Sequence, residues 1–328
     1  MEIDIGNRLN AVTFSGNSEY LVSASDESGG TVQVWRVEDG ETVANMAVGS
    51  TVLCLAASKD GRWIAAGTNS GDALVWSAET YERVFTHKDA FSVINGVDFS
   101  PDATRLLTVA TDMHTAYIWD VASRRSDLTF YHENCRGVIA AKFSPGGDQI
   151  ATATRNDNSV QVYNSNNGRC LLEIKEKVTP WYNTGLFWSN KHLFVISDSK
   201  IKQIEASTGS AIYEWPVPHT NLLSCIALSQ HGDVITYSAE RTVAFLHTSA
   251  RTQLSRIQRA QGICSISLSP DDHFLAIGGE EGKITIKQLS RIAVSIVSLH
   301  HDKHEHRTTF FLKSLFRFVS HPTVSFAF

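Results

Sequence analysis

The chain has 328 residues, a formal net charge of −5 and an apolar content of 42%. That composition is typical of a globular protein with enough apolar residues for a large core. The slightly acidic balance argues against a nucleic-acid-binding face, which is normally basic.

The N-terminal fifty residues are the most acidic part of the chain, with eight acidic residues against two arginines. Such a region either favours a basic partner or forms a solvated surface that aids solubility. The opening residues MEIDIGNRLN lack the basic and apolar regions of a secretory signal. No apolar run reaches the length needed to cross a bilayer, so we predict a protein without a membrane span. The predicted compartment is the cytoplasm, with the nucleus as the alternative.

A serine that follows a short apolar run recurs along the chain at intervals of 40 to 45 residues. These serines are Ser15, Ser58, Ser100, Ser144, Ser189, Ser229 and Ser269. An interval of this size is typical of four-stranded propeller blades.

The residues before each serine repeat as well. The positions one and three before it are apolar in all seven units, as the alternation of a buried strand requires. The position four before it always holds a small residue; we call it the small-residue position, and it comprises Ala11, Cys54, Gly96, Ala140, Gly185, Cys225 and Ser265. Bulky side chains would overpack where the innermost strands of neighbouring sheets converge.

After each serine the units follow one order: a turn, an apolar strand, a second turn and a third strand, with a fourth strand in units one to six. Short strands separated by regular turn signals indicate an all-β fold. The third strands end at Trp35, Trp76 and Trp119 in the first three units, and then at Tyr163, Ile204, Leu246 and Lys287. Trp119 and Asp120 form the single Trp-Asp pair in the chain.

These repeats resemble the WD40-repeat family, over roughly residues 7–289. The resemblance implies an all-β fold: a seven-bladed β-propeller of four-stranded antiparallel sheets, followed by a C-terminal tail outside the propeller. Trp35, Trp76, Trp119 and Asp120 would be its repeat markers. The family's Gly-His pair is absent, and the nearest match to its hydrogen-bonded polar cluster is Asp112, His87 and Trp119. We therefore expect the blades to be held mainly by apolar packing.

The predicted propeller spans residues 1–289. Its blades lie near 7–50, 51–91, 92–135, 136–178, 179–220, 221–260 and 261–289. By analogy with the family, residues 2–5 would close the ring as the last strand of blade seven. The alternative is that residues 292–299 supply that strand.

Residues 290–328 do not fit the repeat and contain a histidine-rich stretch followed by a phenylalanine-rich one. The second stretch could form an amphipathic helix that docks on the propeller, on a partner or on a membrane surface, or it could be a poorly ordered tail. The four histidines between 300 and 306 could bind zinc at helical spacing, but a solvated hinge is the simpler interpretation, and we predict no metal site and no cofactor.

The five cysteines are odd in number and show no C-x-x-C spacing, which indicates reduced thiols rather than a disulfide framework. No nucleophile, metalloprotease or phosphate-loop motif is present. We therefore predict a protein that is not an enzyme, although propeller enzymes can assemble a site from several blades.

The alternative is a propeller hydrolase, similar to a lactonase, with a site at the channel mouth. Converging acidic groups there would favour it. The positions nearest the axis are small and uncharged in the sequence, which favours a scaffold.

In the resembled family, the loops that enter each first strand and the turns between second and third strands form the busiest end of the propeller. Aromatic and arginine residues, which supply most interface hot spots, occur in these segments. The predicted contact residues for a peptide or protein partner are Phe91, Tyr131, Arg136, Arg155, Trp181 and Tyr182. The predicted state is a monomer or a subunit of a complex, with no nucleic acid bound.

Overall fold

The structure, a computed structural model, describes most of the chain up to residue 289. The described ranges are 1–25, 29–88, 93–110, 115–131 (without the side chain of Tyr131), 137–154, 158–179, 185–197, 200–217 and 223–289. The tail at 290–328, including the alternative closing strand at 292–299, lies outside them.

The described residues form seven four-stranded antiparallel sheets, and they contain no helix long and apolar enough to cross a membrane. Each sheet is one blade of a propeller, so the predicted all-β fold is confirmed. Within a blade the strands are numbered first to fourth, and the first lies innermost.

The strands of the first three blades follow the chain without interruption. Blade 1 contains β2 (Leu9–Phe14), β3 (Tyr20–Ser25), β4 (Thr31–Arg36) and β5 (Thr42–Ala47). Blade 2 contains β6 (Val52–Ala57), β7 (Trp63–Thr68), β8 (Asp72–Ser77) and β9 (Arg83–Lys88). Blade 3 contains β10 (Ile94–Phe99), β11 (Arg105–Ala110), β12 (Thr115–Asp120) and β13 (Arg125–Tyr131).

The next three blades repeat this arrangement. Blade 4 contains β14 (Val138–Phe143), β15 (Gln149–Thr154), β16 (Ser159–Asn164) and β17 (Cys170–Lys175). Blade 5 contains β18 (Leu186–Ser189), β19 (His192–Ser197), β20 (Lys200–Glu205) and β21 (Ala211–Pro216). Blade 6 contains β22 (Leu223–Leu228), β23 (Val234–Ala239), β24 (Thr242–His247) and β25 (Thr252–Gln258).

Blade 7 draws its strands from both ends of the propeller sequence. It contains β26 (Ile263–Leu268), β27 (Phe274–Gly279), β28 (Lys283–Gln288) and, as its fourth strand, β1 (Glu2–Asp4). The register pairs Ile3 with Ile284, and the N-terminal amine of Met1 donates to the carbonyl of Ile286 at 3.0 Å. This strand covers the edge of β28 that would otherwise be open.

The recurring serine stabilises the turn that follows the first strand. In blade 3 the Oγ of Ser100 accepts the backbone N–H of Arg105 at 2.9 Å and donates to Asp102 at 2.5 Å. The same N–H to serine bond recurs in blades 1, 2, 4, 6 and 7, with Ser15, Ser58, Ser144, Ser229 and Ser269. The serine period is therefore the period of this turn.

All seven residues of the small-residue position are buried, Gly96 and Gly185 among them. The sheets meet tightly here: a Cβ on Gly67 of β7 would lie 2.7 Å from the Sγ of Cys54 and 2.5 Å from Ile94 of blade 3. Each apolar core cluster joins residues of two adjacent blades, as Val75 and Val97 do between blades 2 and 3. Sheet-to-sheet apolar packing thus provides the core.

Candidate interaction surface

The propeller has two different ends, which follow from the strand order. The first-to-second and third-to-fourth turns lie at one end, which we call the turn end. The second-to-third turns and the connections between blades lie at the other, which we call the loop end.

The tryptophans at the ends of the third strands are structural. The Nε1 of Trp35 donates to the Oγ of Ser23 at 2.8 Å, and that of Trp119 donates to the Oγ1 of Thr108 at 3.0 Å. Both bonds are buried and connect the third strand to the second strand of the same blade. Trp76 is buried at the corresponding place in blade 2.

His87, on β9 of blade 2, packs against Trp119 of blade 3 with ring centroids 3.6 Å apart. Asp112, the third residue of the predicted polar cluster, lies outside the described residues. Asp120 accepts the backbone N–H of Ser123 at 2.6 Å in the turn that follows β12. Hydrogen bonds from Ser123 lower the pKa of the Asp120 carboxyl, as is typical of a turn-stabilising aspartate.

Five of the six predicted contact residues lie in segments that the structure does not describe. Phe91, Arg136, Arg155, Trp181 and Tyr182 lie outside the described residues, and only the backbone of Tyr131 is described, at the end of β13. The described strands on either side of these segments all have their adjoining ends at the loop end. The order of the strands therefore determines that all these segments start and finish at the loop end.

The turn end opens into a cavity of about 520 Å³ at the channel mouth. Its lining contains one carboxylate, Asp98, among the described residues. The Nζ of Lys142 lies 3.1 Å from Asp98 Oδ1, and the backbone N–H of Phe143 donates to Asp98 Oδ2 at 2.9 Å. Lys142 also lies over the ring of Phe187, with its Nζ 5.7 Å from the centroid.

This ion pair corrects the expectation that the positions nearest the axis are small and uncharged. The small-residue position is buried, but two residues further along the strand the side chains of Asp98 and Lys142 keep 20% and 19% of their area exposed. The channel is therefore wide enough at this depth for long charged side chains. The pair joins the first strands of blades 3 and 4.

The thiols in the described residues show no sign of activation. Burial raises the pKa of Cys54 to about 12 and that of Cys225 to about 11, because the thiolate would be poorly solvated. The described part of the chain contains no group of three or more His, Cys, Asp or Glu side chains placed to hold a metal ion.

Comparison with known proteins gives a family match and several distant relatives. The family model described as "WD domain, G-beta repeat" matches residues 5–36 and 44–77. The chain is 20% identical to the pre-rRNA-processing protein crb3/ipi3 of Schizosaccharomyces pombe, over 72% of this chain and 55% of that protein. It is 21% identical to the serine-threonine kinase receptor-associated protein of Gallus gallus, over 68% of this chain and 63% of that protein. The chain thus spans less than two thirds of either relative.

The solved structure of U3-55K is similar over 86% of this chain and 96% of that chain, with a TM-score of 0.76. At 17% identity this likeness concerns the fold alone.

Proposed function

We propose that this chain, two segments of which match the WD40 repeat model, is a divergent WD40-repeat protein that acts as a non-catalytic scaffold or adaptor. It binds a peptide or protein segment at the loop end. The observation that carries the proposal is topological: the strand ends next to the segments that hold the predicted contact residues all lie at this end. Loops on a rigid β scaffold are common recognition surfaces.

The proposed contacts are the six residues predicted from the sequence: Phe91, Tyr131, Arg136, Arg155, Trp181 and Tyr182. Large aromatic rings bury much area at low entropic cost, and arginine forms several directed hydrogen bonds. A segment with acidic and apolar residues would complement this set.

The ionisable groups of the channel mouth support a structural role in preference to catalysis. Asp98 is held by both Lys142 and a backbone N–H, so its oxygens already have partners. An acid/base group is normally free to reach a substrate proton. We assign the Asp98–Lys142 pair to blade alignment.

We propose that the partner contact is to protein, because the chain carries a net charge of −5. The pre-rRNA-processing relative suggests an RNA-containing assembly as the setting, in which the nucleus would be the compartment. In such an assembly this chain would be the subunit that contacts another protein.

The test replaces Arg155, Trp181 and Tyr182 together by alanine in the tagged full chain and measures capture of partners from lysate by quantitative mass spectrometry. We expect the specifically captured proteins to fall at least tenfold, and RNase treatment to leave wild-type capture unchanged. The control replaces three exposed residues away from the loop end: Arg124→Ala, Leu171→Ser and Ile212→Ser. Unchanged capture by a folded triple variant would discard this placement of the site.

A further inference from the structure

A cleft of about 300 Å³ opens at the turn end between blades 1 and 2; we call it the blade 1–2 cleft. Trp63, one of its lining residues, packs against the core cluster shared by blades 2 and 3. The other apolar lining residues belong to, or pack against, the core cluster shared by blades 1 and 2, and they are Tyr20, Val22, Val34, Ile64, Ala78 and Tyr81. The cleft is therefore lined by aliphatic side chains and three large aromatic ones.

Blade 1 has a small residue on its fourth strand where the next four blades have large ones. Ala44 pairs with Val34, and the corresponding residues of blades 2 to 5 are Phe85, Leu128, Leu172 and Tyr213. In blades 3 and 4 the large side chain reaches the next blade: Leu128 lies 3.5 Å, and Leu172 3.4 Å, from a Cβ built on the turn glycine there. Ala44 has no side-chain atom beyond Cβ with which to make the equivalent contact.

The turn that borders the cleft holds Tyr81 with φ +58. The equivalent turn position has positive φ in blades 1 and 3 to 6 too, at Gly40, Gly168 and Gly209 and at the arginines Arg124 and Arg251, so Tyr81 is the one aromatic residue among these positions. A bulky residue rarely adopts this backbone region. Tyr20 and Tyr81 both line the cleft, and burial, with a further contribution from Tyr20, raises the pKa of the Tyr81 hydroxyl.

The charges around the cleft are mainly negative. Glu19, Glu79 and Glu82 are exposed beside it, and none of them forms a salt bridge with a described residue. Arg62, which also borders the cleft, is paired with Asp60. A basic segment with apolar side chains would complement both the lining and the rim.

The chain itself continues from the same end of the propeller. The N–H of Leu289 donates to the carbonyl of His273 at 2.7 Å, and Ala78 makes the equivalent bond to Arg62 in blade 2 at 2.8 Å. Residue 289 therefore leaves blade 7 at the turn end, and blade 7 packs against blade 1.

The sequence beyond residue 289 has the complementary chemistry. Residues 290–328 carry five Lys and Arg against two acids, a net charge of +3. Phe310, Phe311, Phe316 and Phe318 alternate with Lys313 and Arg317 in one short stretch. About 20 residues separate Leu289 from Phe310, which can span roughly 65 Å, several times the ~10 Å distance between packed sheets.

We propose that residues 310–319 dock in the blade 1–2 cleft of the same chain, with a phenylalanine ring between Tyr20 and Tyr81. Lys313 and Arg317 then lie over Glu19, Glu79 and Glu82. The interaction occupies the turn end and leaves the loop end free, so it is independent of the proposed partner site.

The experiment uses the full chain with the photo-reactive substitution Phe316→p-benzoylphenylalanine, which keeps an aromatic ring at that position. After irradiation and trypsin digestion, we expect the major cross-linked peptides to contain Tyr20 or Tyr81. The same probe at Phe328 serves as the positional control and should give less than a fifth of that yield at these tyrosines. Absence of cross-links, or cross-links to another surface, would overturn the proposal.

A mixture of ¹⁵N-labelled and unlabelled chains identifies the source of the segment. Docking within one chain gives cross-linked pairs of a single isotope, whereas mixed pairs would show that a second copy is the occupant and would contradict the proposal.

The matched variant is Ala44→Leu, which fills the cleft with the side chain that blades 3 and 4 already carry. We expect cross-linking to Tyr20 and Tyr81 to fall at least fivefold with the melting temperature maintained. Ser255→Leu makes the same change at the equivalent place in blade 6 and should leave the yield unchanged. An unchanged yield in a folded Ala44→Leu variant would refute docking in this cleft.

Discussion

At the residue scale, the repeated turns are held by small hydroxyl–carboxylate networks. In blade 3, Asp102 accepts hydrogen bonds from the hydroxyl of Ser100 and from the backbone N–H and hydroxyl of Thr104. The bond from Ser100, together with those from Thr104, holds the pKa of Asp102 below its ordinary value of 3.8. The ionised carboxylate is thus the form that the folded turn prefers.

This preference predicts a pH-dependent contribution to stability. Because the folded-state pKa lies below the unfolded one, Asp102 stabilises the fold above about pH 4, and this contribution is lost as pH falls through the folded-state pKa. Urea unfolding of wild type and Asp102→Asn should therefore differ most near neutral pH and converge in acid. Asp127→Asn, an exposed change on β13, is the control. A difference between wild type and Asp102→Asn that stayed constant down to pH 2 would contradict the assignment.

The buried hydrogen bond between Trp119 and Thr108 gives a second prediction at this scale. Trp119→Phe removes the donor and leaves a buried hydroxyl unpaired, so we expect a loss of about 1–3 kcal/mol. Thr108→Val removes the acceptor, and the double variant should cost less than the sum of the two single changes. A double-mutant cycle in urea measures the coupling, expected near 1 kcal/mol. Strict additivity would mean that the bond does not stabilise the folded state.

At the element scale, the sequence predicts what seven blades share and misses what one blade does alone. The turn serine repeats because the same hydrogen-bonded turn follows the first strand, and the small-residue position repeats because each first strand meets the same steric constraint. Asp98, Lys142 and Ala44 each occur once, so no period reveals them. Their roles are visible only when neighbouring blades are compared: Asp98 pairs with Lys142 of the next blade, and Ala44 stands where the following blades have large side chains.

At the loop end, the sequence predicts which segments lie there but not how their side chains are arranged. Trp181 and Tyr182 are predicted contacts because of their residue type and their place between strands, which the fold class determines. Their mutual geometry depends on loop conformation, and no repeat constrains it. The strands that carry these segments could therefore be predicted from the sequence, while the arrangement of the side chains could not.

The tight approach of first and second strands to the next blade predicts a steric effect at Gly67. Gly67→Ala would place a methyl group 2.5 Å from Ile94 Cγ2 and 2.7 Å from Cys54 Sγ, both in a packed core. We expect a loss of about 1–3 kcal/mol, because these neighbours have little room to move. Gly146→Ala, in an exposed turn, is the matched control and should change the free energy of unfolding by less than about 0.5 kcal/mol. Equal effects of the two changes on the free energy of unfolding would show that the spacing between blades 2 and 3 does not restrict side-chain size at residue 67.

At the scale of the whole molecule, the ring depends on a three-residue strand. β1 is short, yet Ile3 is buried in the core cluster that joins blades 7 and 1, and Met1 Sδ lies 2.7 Å from where a Cβ on Gly40 would stand. The strand therefore closes blade 7 by pairing and also packs against blade 1. The pairing joins the N-terminal residues to a strand more than 200 residues away in sequence, and the packing joins them to the blade that follows directly in the chain.

Ile3→Asp tests this closure. It places an unpaired charge in the shared core and weakens the pairing of β1 with β28, which exposes a strand edge to other molecules. We expect a markedly lower melting temperature and concentration-dependent self-association by light scattering, because an uncovered edge can pair with a second chain. Glu2→Ala changes an exposed residue of the same strand and should preserve both properties. If Ile3→Asp remained monomeric with an unchanged melting temperature, the propeller would hold its ring closed through the other blade interfaces, and β1 would only cover an edge that is already stable.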